Sequence, residues 1–543
     1  MATETLPADI GLSRELGLVG ATWASWTSMA GGGLLFGAFY AAQAVGGAAV
    51  LAWVIGGVMV LLLALCHAEL GAMYPVSGGT ARFPHFAFGS AAGISFGFFS
   101  YLQAAAVAPV ECYALIQSAA YYWPGLYDTG TGNVSRAGFV LTIVLMAIFV
   151  AVNFLAMRVL AGISNIITWW KVAIPLLTII VLLAYGFHGG NFTAAHRGFM
   201  PGGFKALFGA LPGAGIVFAY LGFEQADQLA GEIKNPARNL PLAIVFSVLI
   251  ATVIYTLLQV VFIAAMPASL LSHGFPGITN SGILSVPFAG LAGVIGIGWL
   301  ASILRIDRIV AASGTGLIYP TGASRIAYGL ARNRYVPQIF GLVDRRGIPW
   351  VGLMFTYIAG LVFLLPFPSW HSVVGVITGA SVLMYAGAPL SLGAFRRQVP
   401  EALRPYRMPA AAVQGPLAFI VAGLLIYWSG FETVWKLGLV LVLGYLVIGV
   451  GMAFDPQRPP LDWRSATWLP AWLLGMGIIS WQGQFSGPNE AHPLPPANTM
   501  QIGFGYDILT VAAFSLIIYY WAMLARLPRS EMLRLVDDQT GDL

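Results

Sequence analysis

TSMAGGGLLFG, Thr27 to Gly37, and PGAGIVFAYLGFEQADQ, Pro212 to Gln228, decide how this chain folds. Each lies inside an apolar stretch long enough to span a membrane, and each is broken near its middle. Glycine in a helix interior costs roughly 1 kcal/mol relative to alanine. The run Gly31-Gly32-Gly33 therefore predicts that the first stretch unwinds. Unwound backbone at membrane depth is tolerated only against protein or a water-filled cavity. Interrupted spans at corresponding places in two halves of a chain point to a ligand site between them.

The rest of the chain agrees with a membrane setting. Of 543 residues, 58% are hydrophobic and 9% charged, against about 25% charged in ordinary globular domains. That excludes a soluble protein. The polar start, MATETLPADIGLSRE, has no basic region leading into an apolar core, so no cleaved signal peptide is expected. Cys66 and Cys112 both fall in predicted spans, which argues against a disulfide or a thiolate metal site. The formal charge of +5 is explained by membrane topology and not by nucleic acid.

A helical span needs about 20 apolar residues. Fourteen stretches qualify: 16–42, 47–73, 89–119, 138–156, 160–187, 207–231, 240–265, 300–330, 350–367, 371–395, 411–430, 434–453, 466–484 and 506–525. Residues 283–304 are also apolar and read as a re-entrant or outer helix, or as a further span. With the N-terminus inside, most basic residues fall on the cytoplasmic side, among them Arg82, Arg158, Lys234, Arg325, Arg346, Arg396 and Arg458. The outer side holds Arg136, Arg197, Lys205 and Lys436. Cytoplasmic loops are the basic ones, so both termini are expected in the cytoplasm. Asn133-Val134-Ser135 matches a glycosylation sequon and carries no functional weight.

Spans one to five and six to ten read as two halves, each opening on a broken helix, the hydropathy pattern of inverted repeats. The expected fold is an all-α membrane protein with a 5+5 inverted-repeat core over 16–395. Around it lie a tail at 1–15, a cytoplasmic loop at 396–410, four additional spans in 411–525 and a tail at 526–543.

The first candidate site is the pair of breaks. Backbone N–H groups around Ala30, Gly31, Gly32 and Gly33 open a half-helix, where the dipole favours an anion such as a carboxylate. In the second break, carbonyls near Phe218, Ala219 and Tyr220, with Gly222 beside them, would accept from an ammonium group. The competing reading is that these glycines serve close helix packing, and that reading is preferred for Gly37, Gly46 and Gly47.

Lys171, in ISNIITWWKVAIPLL, is the second candidate. It lies roughly 16 Å into the fifth span, near the midplane of a core about 30 Å thick. Its stem is too short to snorkel to the interface. An ammonium held there is a functional hypothesis by default. Pro175 has no N–H, so the carbonyl of Lys171 loses its helical bond, and a kink is expected there.

Three further positions carry two readings each. Glu224 ends the second break and is either part of a gate or proton path, or a cap on freed backbone. Glu111 lies inside the third span, as a gate or as part of a network. Asp307, about 27 Å from Arg325 along a continuous helix, is either in an outer gate or contacting a substrate side chain, or in an internal ion pair with Arg305 and Arg308. Glu69 reads as structural. His67, His85, His188, His196, His273, His371 and His492 show no metal-ligand spacing, and no phosphate loop or nucleophile elbow occurs. No enzyme activity, metal or cofactor is expected.

Four blocks of this sequence resemble the amino acid–polyamine–organocation transporters. They are AELGAMYPVSGG (Ala68 to Gly79), FAYLGFEQADQLAGEIKNPARNLPLAI (Phe218 to Ile244), SRIAYGLARNRYVP (Ser324 to Pro337) and RRQVPEALRPYRMP (Arg396 to Pro409). The resemblance implies an inverted-repeat fold of the leucine-transporter type. It implies that Gly31, Gly32 and Gly33 hold a substrate carboxylate, and that Phe218, Ala219 and Tyr220 hold its amino group. Lys171 matches a lysine that takes the place of a sodium ion in proton-coupled or sodium-independent members. Gly32 departs from the small polar residue usual between the glycines, which removes a hydroxyl contact. GGTARFPHFAFG (Gly78 to Gly89) and IDRIVAASGTGLIY (Ile306 to Tyr319) look most like the bacterial aspartate–proton symporter subgroup.

The function this implies is import of an amino acid, with acidic substrates in view, by proton symport across a bacterial inner membrane. The partners are then the amino acid, protons and the lipid bilayer, with no nucleic acid; the oligomeric state is left open. The alternative within transport is an amino acid or polyamine exchanger. A nutrient sensor would need no coupling residue, and a channel would need a continuous polar pore.

Overall fold

The computed structural model describes residues 14, 16–76, 78–128, 133–154, 157–194, 198–281, 283, 286–345, 347–365, 370–453, 459–485 and 501–540. The tail before Arg14, Arg197, Arg346, Arg458, His196 and His492 lie outside them. The chain is helical almost throughout. Seven helical stretches among the described residues are long and apolar enough to cross a membrane.

In order, the helices begin with α1 (Leu18–Met29), α2 (Gly32–Val45), α3 (Ala49–Met73), α4 (Gly79–Phe88) and α5 (Ser90–Ala119). A two-stranded antiparallel ribbon, β1 (Tyr127–Asp128) with β2 (Asn133–Val134), leads into α6 (Arg136–Val152) and α7 (Met157–Tyr185). Next come α8 (Gly203–Gly213), the short α9 (Ile216–Ala219) and α10 (Gln225–Gln228), then α11 (Pro236–Ala264). They are followed by α12 (Pro287–Val294), α13 (Gly298–Arg332), α14 (Trp350–Leu364) and α15 (Trp370–Gln398). The last five are α16 (Ala411–Trp428), α17 (Phe431–Ala453), α18 (Trp468–Gln482), α19 (Tyr506–Ala525) and α20 (Arg529–Thr540).

Both breaks fall where glycine places them. Between α1 and α2, Gly31 is extended (φ −106°, ψ −151°), and its N–H bonds to Met29 O. The carbonyl of Thr27 therefore lacks the amide four residues on that a continuous helix would supply. In the second break the chain turns at Gly215 (φ +77°) and again at Gly222 (φ +121°), conformations that L side chains rarely adopt.

Long-range packing sets these breaks at the centre. α3 lies along α11, and α13 lies along α5. α1 packs against α11, α13 and α7, and α2 against α8 and α9. α5 and α15 are the most enclosed helices, whereas α7 and α19 turn large apolar side chains such as Ile166, Ile180, Leu509 and Leu524 outward. An outer surface of that kind suits lipid, where apolar side chains need no cover. α16, α17 and α19 pack on α15.

Two features depart from the sequence reading. Residues 283–304 form no span of their own, because α12 covers eight residues and α13 begins at Gly298. The region after residue 526 is more than a tail: α20 packs on α4, Leu527 N–H bonds to Ala87 O, and Met532 is fully buried. α7 continues as a helix on both sides of Pro175.

Candidate functional site at the paired helix breaks

The two breaks pack directly on each other. A Cβ on Gly33 would lie 2.6 Å from the Phe218 ring and 3.1 Å from Ala219 Cα. A Cβ on Gly222 would lie 2.7 Å from Ser28 Cβ and 2.9 Å from Met29 N. Ser25 Oγ donates to Phe223 O at 2.9 Å, joining α1 to the second break. Close packing, set against ligand contact in the sequence reading, is thus a property of these glycines as the structure stands.

Lys171 reaches the first break from α7. It is 1% exposed, and its Nζ donates to Thr27 O at 2.6 Å and to Thr315 Oγ1 at 2.9 Å. Thr315, on α13, donates in turn to Thr27 O at 3.0 Å. Thr27 Oγ1 and Thr168 Oγ1 share a further hydrogen bond. The ammonium thus sits on the carbonyl that the break frees, and ties α1, α7 and α13 together.

Glu111, 1% exposed on α5, sits at the start of α2, where both carboxylate oxygens lie 3.1 Å from Gly32 N. An acid at a helix N-terminus is stabilised by the unpaired N–H groups there. A Cβ on Gly31 would come within 2.4 Å of Glu111 Oε1 and 2.8 Å of Thr315 Oγ1. Glu111 and Lys171 therefore approach the same break from opposite elements, with Thr315 between them.

In the second break, the carbonyl of Phe218 is engaged, because Leu221 N–H bonds to it at 3.0 Å. This corrects the expectation that it is freed: the chain closes a tight turn there. The carbonyls of Ala219 and Tyr220 have no backbone partner among the described residues. The Tyr220 hydroxyl donates to Trp53 O at 2.8 Å. Glu224 Oε2 accepts from Gly222 N at 2.8 Å and from Tyr385 OH at 2.6 Å, and Oε1 accepts from Gln103 at 3.4 Å. The bond to freed backbone, one of the two readings of Glu224, is present.

The group Arg305, Asp307 and Arg308 does not close on itself as an ion pair. Asp307 Oδ1 accepts from Trp170 Nε1 at 2.9 Å, next to Lys171 in sequence. Arg308, 1% exposed, lies 4.0 Å over the Phe36 ring and donates to Ala114 O at 3.2 Å. Arg305 stacks on Tyr121 at 4.7 Å. Residues one or two apart on a helix do not face each other, so Asp307 points away from both arginines. Towards the other end of α13, Arg325 binds Glu232 at 3.0 Å, both buried. Glu69 accepts from Arg396 and Arg404 and from Met408 N, joining α3 to the loop after α15.

Sequence reasoning missed Thr27, Thr168, Thr315, Gln103 and Tyr385. Hydroxyl and amide residues are common enough in membrane helices that none stood out, and each finds its partner on a distant element.

This arrangement of broken helices and buried lysine can now be compared with known proteins. Residues 16–473 match the amino acid permease family. The chain belongs to that family. It is 34% identical over 504 residues to the aspartate–proton symporter of Bacillus subtilis (strain 168), covering 92% of this chain and 94% of that one. It is 35% identical over 529 residues to the glutamate/serine transporter AimA of the same organism, covering 94% of each. The branched-chain amino acid permease BcaP is more distant, at 25% over 451 residues, 80% of this chain and 92% of that one. The permease is an integral membrane amino acid transporter and not an enzyme.

Proposed function

We propose that the permease imports an acidic amino acid by proton symport across a bacterial inner membrane, with both termini in the cytoplasm and a 5+5 inverted-repeat core. The observation that carries this reading is Lys171 Nζ on the Thr27 carbonyl at 2.6 Å. The freed carbonyl already accepts from the Thr315 hydroxyl, and a protonated lysine adds a charged donor where another transporter would use a metal cation. Deprotonated, the lysine loses a donor and its charge, and the tie between α1, α7 and α13 weakens. The substrate carboxylate would occupy the N–H groups of Gly32 and Gly33 after displacing Glu111, with Gly31 N–H kept by Met29 O, and its ammonium group would meet the Ala219 and Tyr220 carbonyls. Arg308, buried beside Phe36 of α2, is the candidate we favour over Arg305 and Lys171 to meet a second carboxylate. The names of the two bacillar relatives at about one-third identity, aspartate–proton and glutamate/serine, support an acidic substrate. The packing of α3 on α11 and of α5 on α13 sets spans two and three on spans seven and eight, as a two-fold repeat would.

Proteoliposomes with an imposed pH gradient and a panel of amino acids test this. Lys171→Ala should lose uptake driven by the gradient while retaining some substrate binding. Lys171→Arg should also fail, because arginine stays charged. If Lys171→Ala still accumulates substrate using only the imposed gradient, the lysine is structural. If neutral amino acids compete as well as aspartate, the substrate is not restricted to acidic ones.

A further inference from the structure

We infer that His67 and Asp227 form a second proton-carrying site in the permease, distinct from Lys171, on the far side of the second break. His67 lies on α3 and Asp227 on α10. Their Nδ1 and Oδ2 are 2.9 Å apart, and the side chains are 1% and 0% exposed. Neither residue takes part in the substrate or lysine contacts described above. His67 Nε2 and Asp227 Oδ1 are buried and have no hydrogen-bond partner among the described residues.

The chemistry follows from charge. With a proton on each ring nitrogen, His67 and Asp227 are an ion pair of net charge zero. When the proton leaves Nε2, Nδ1–H stays on Oδ2, and the pair carries one net negative charge in a dry core. Isolated buried charge is expensive, and loss of that proton creates one here. Histidine is the side chain whose unperturbed titration falls nearest neutral pH.

The surroundings connect the pair to the break. The His67 ring packs edge-on against Phe223 at 5.5 Å and Tyr385 at 5.7 Å. The Tyr385 hydroxyl in turn donates to Glu224 Oε2 at 2.6 Å. Among the described residues, titratable groups near the pair include Glu224, between α9 and α10, and Tyr385, on α15, with Tyr319 of α13 beyond Glu224. Gly71 of α3 and Leu240 of α11 close over Asp227. Because the pair spans α3 and α10, the held proton tightens the contact between them, and its loss leaves an anion that weakens it.

The test is nitrogen NMR of the full chain in lipid with isotope-labelled histidine, titrated from about pH 4 to about pH 9. One imidazole signal should change protonation state in that range and be absent in His67→Gln and in His67→Asn. In Asp227→Asn, which removes the counter-charge, the signal should no longer follow the parent's curve. Lys171→Ala should leave it in place, which separates this site from the proposed role of the lysine. A His67 imidazole in the parent that keeps one protonation state across the range overturns the inference. So does an Asp227→Asn curve that superimposes on the parent's.

Discussion

At the scale of single residues, space around the first break is already taken. Valine at Gly31 would force its Cβ within 2.4 Å of Glu111 Oε1 and 2.8 Å of Thr315 Oγ1. The backbone there is in an ordinary extended conformation, so the obstacle is contact and not strain. Gly31→Val should lower substrate affinity at least tenfold, about 1.4 kcal/mol, with membrane insertion intact. Equilibrium binding to purified protein measures it, and parent affinity would remove the break from the site. Thr315→Val is a gentler change. It keeps volume and removes the hydroxyl between Lys171 and Thr27 O. One net hydrogen bond is worth about 1 kcal/mol, so gradient-driven uptake should fall about fivefold and recover in Thr315→Ser. Uptake by Thr315→Val at the parent rate would mean the hydroxyl bridge is idle.

At the scale of elements, what was legible depended on whether the physical cost is local. Gly31 to Gly33 announce a break because three consecutive glycines weaken any helix, whatever surrounds them. Lys171 stands out because a charge deep in an apolar run has few innocent explanations. Its partners could not be read: Thr27 and Thr315 are ordinary residues that meet it only after α1, α7 and α13 assemble. The same limit hid Glu111, whose two readings are separated only by the approach of α5 to Gly32 N. It hid Asp227 too, whose histidine partner lies on α3 in the other half. The second break makes an element-scale prediction. Gly222 combines φ +121° with contact against Ser28, so Gly222→Ala should destabilise by about 1–3 kcal/mol. Gly213, at the exposed end of α8, has open space where a methyl group would point, and Gly213→Ala should gain roughly 0.5–1 kcal/mol. Thermal melting of the purified variants compares them, and equal shifts would mean that the second break tolerates a side chain.

At the scale of the whole molecule, alternating access requires that one face open while the other stays shut. In this structure the face carrying Glu232 and Arg325 is tied together by their buried pair, by Leu16 N–H on Glu232 O and by Lys234 N–H on Leu16 O. These contacts join the segment before α1, the loop after α10 and the length of α13, elements that lie far apart in sequence. Removing one member of a buried pair costs about 3–5 kcal/mol, because the other is left charged and unpaired. Glu232→Gln should therefore shift the population towards a form open on this face. Ser324, 1% exposed and next to Arg325, reports on it. Ser324→Cys should react slowly with a water-soluble thiol reagent in an otherwise unaltered chain, since Cys66 and Cys112 are both buried. In the Glu232→Gln background it should react at least tenfold faster. Exchanging the charges, Glu232→Arg with Arg325→Glu, should restore slow reaction by re-forming the pair. Reaction only with reagent delivered to the cytoplasmic side would agree with the orientation read from the basic loops. Equal rates in all three backgrounds would mean that this pair does not govern opening.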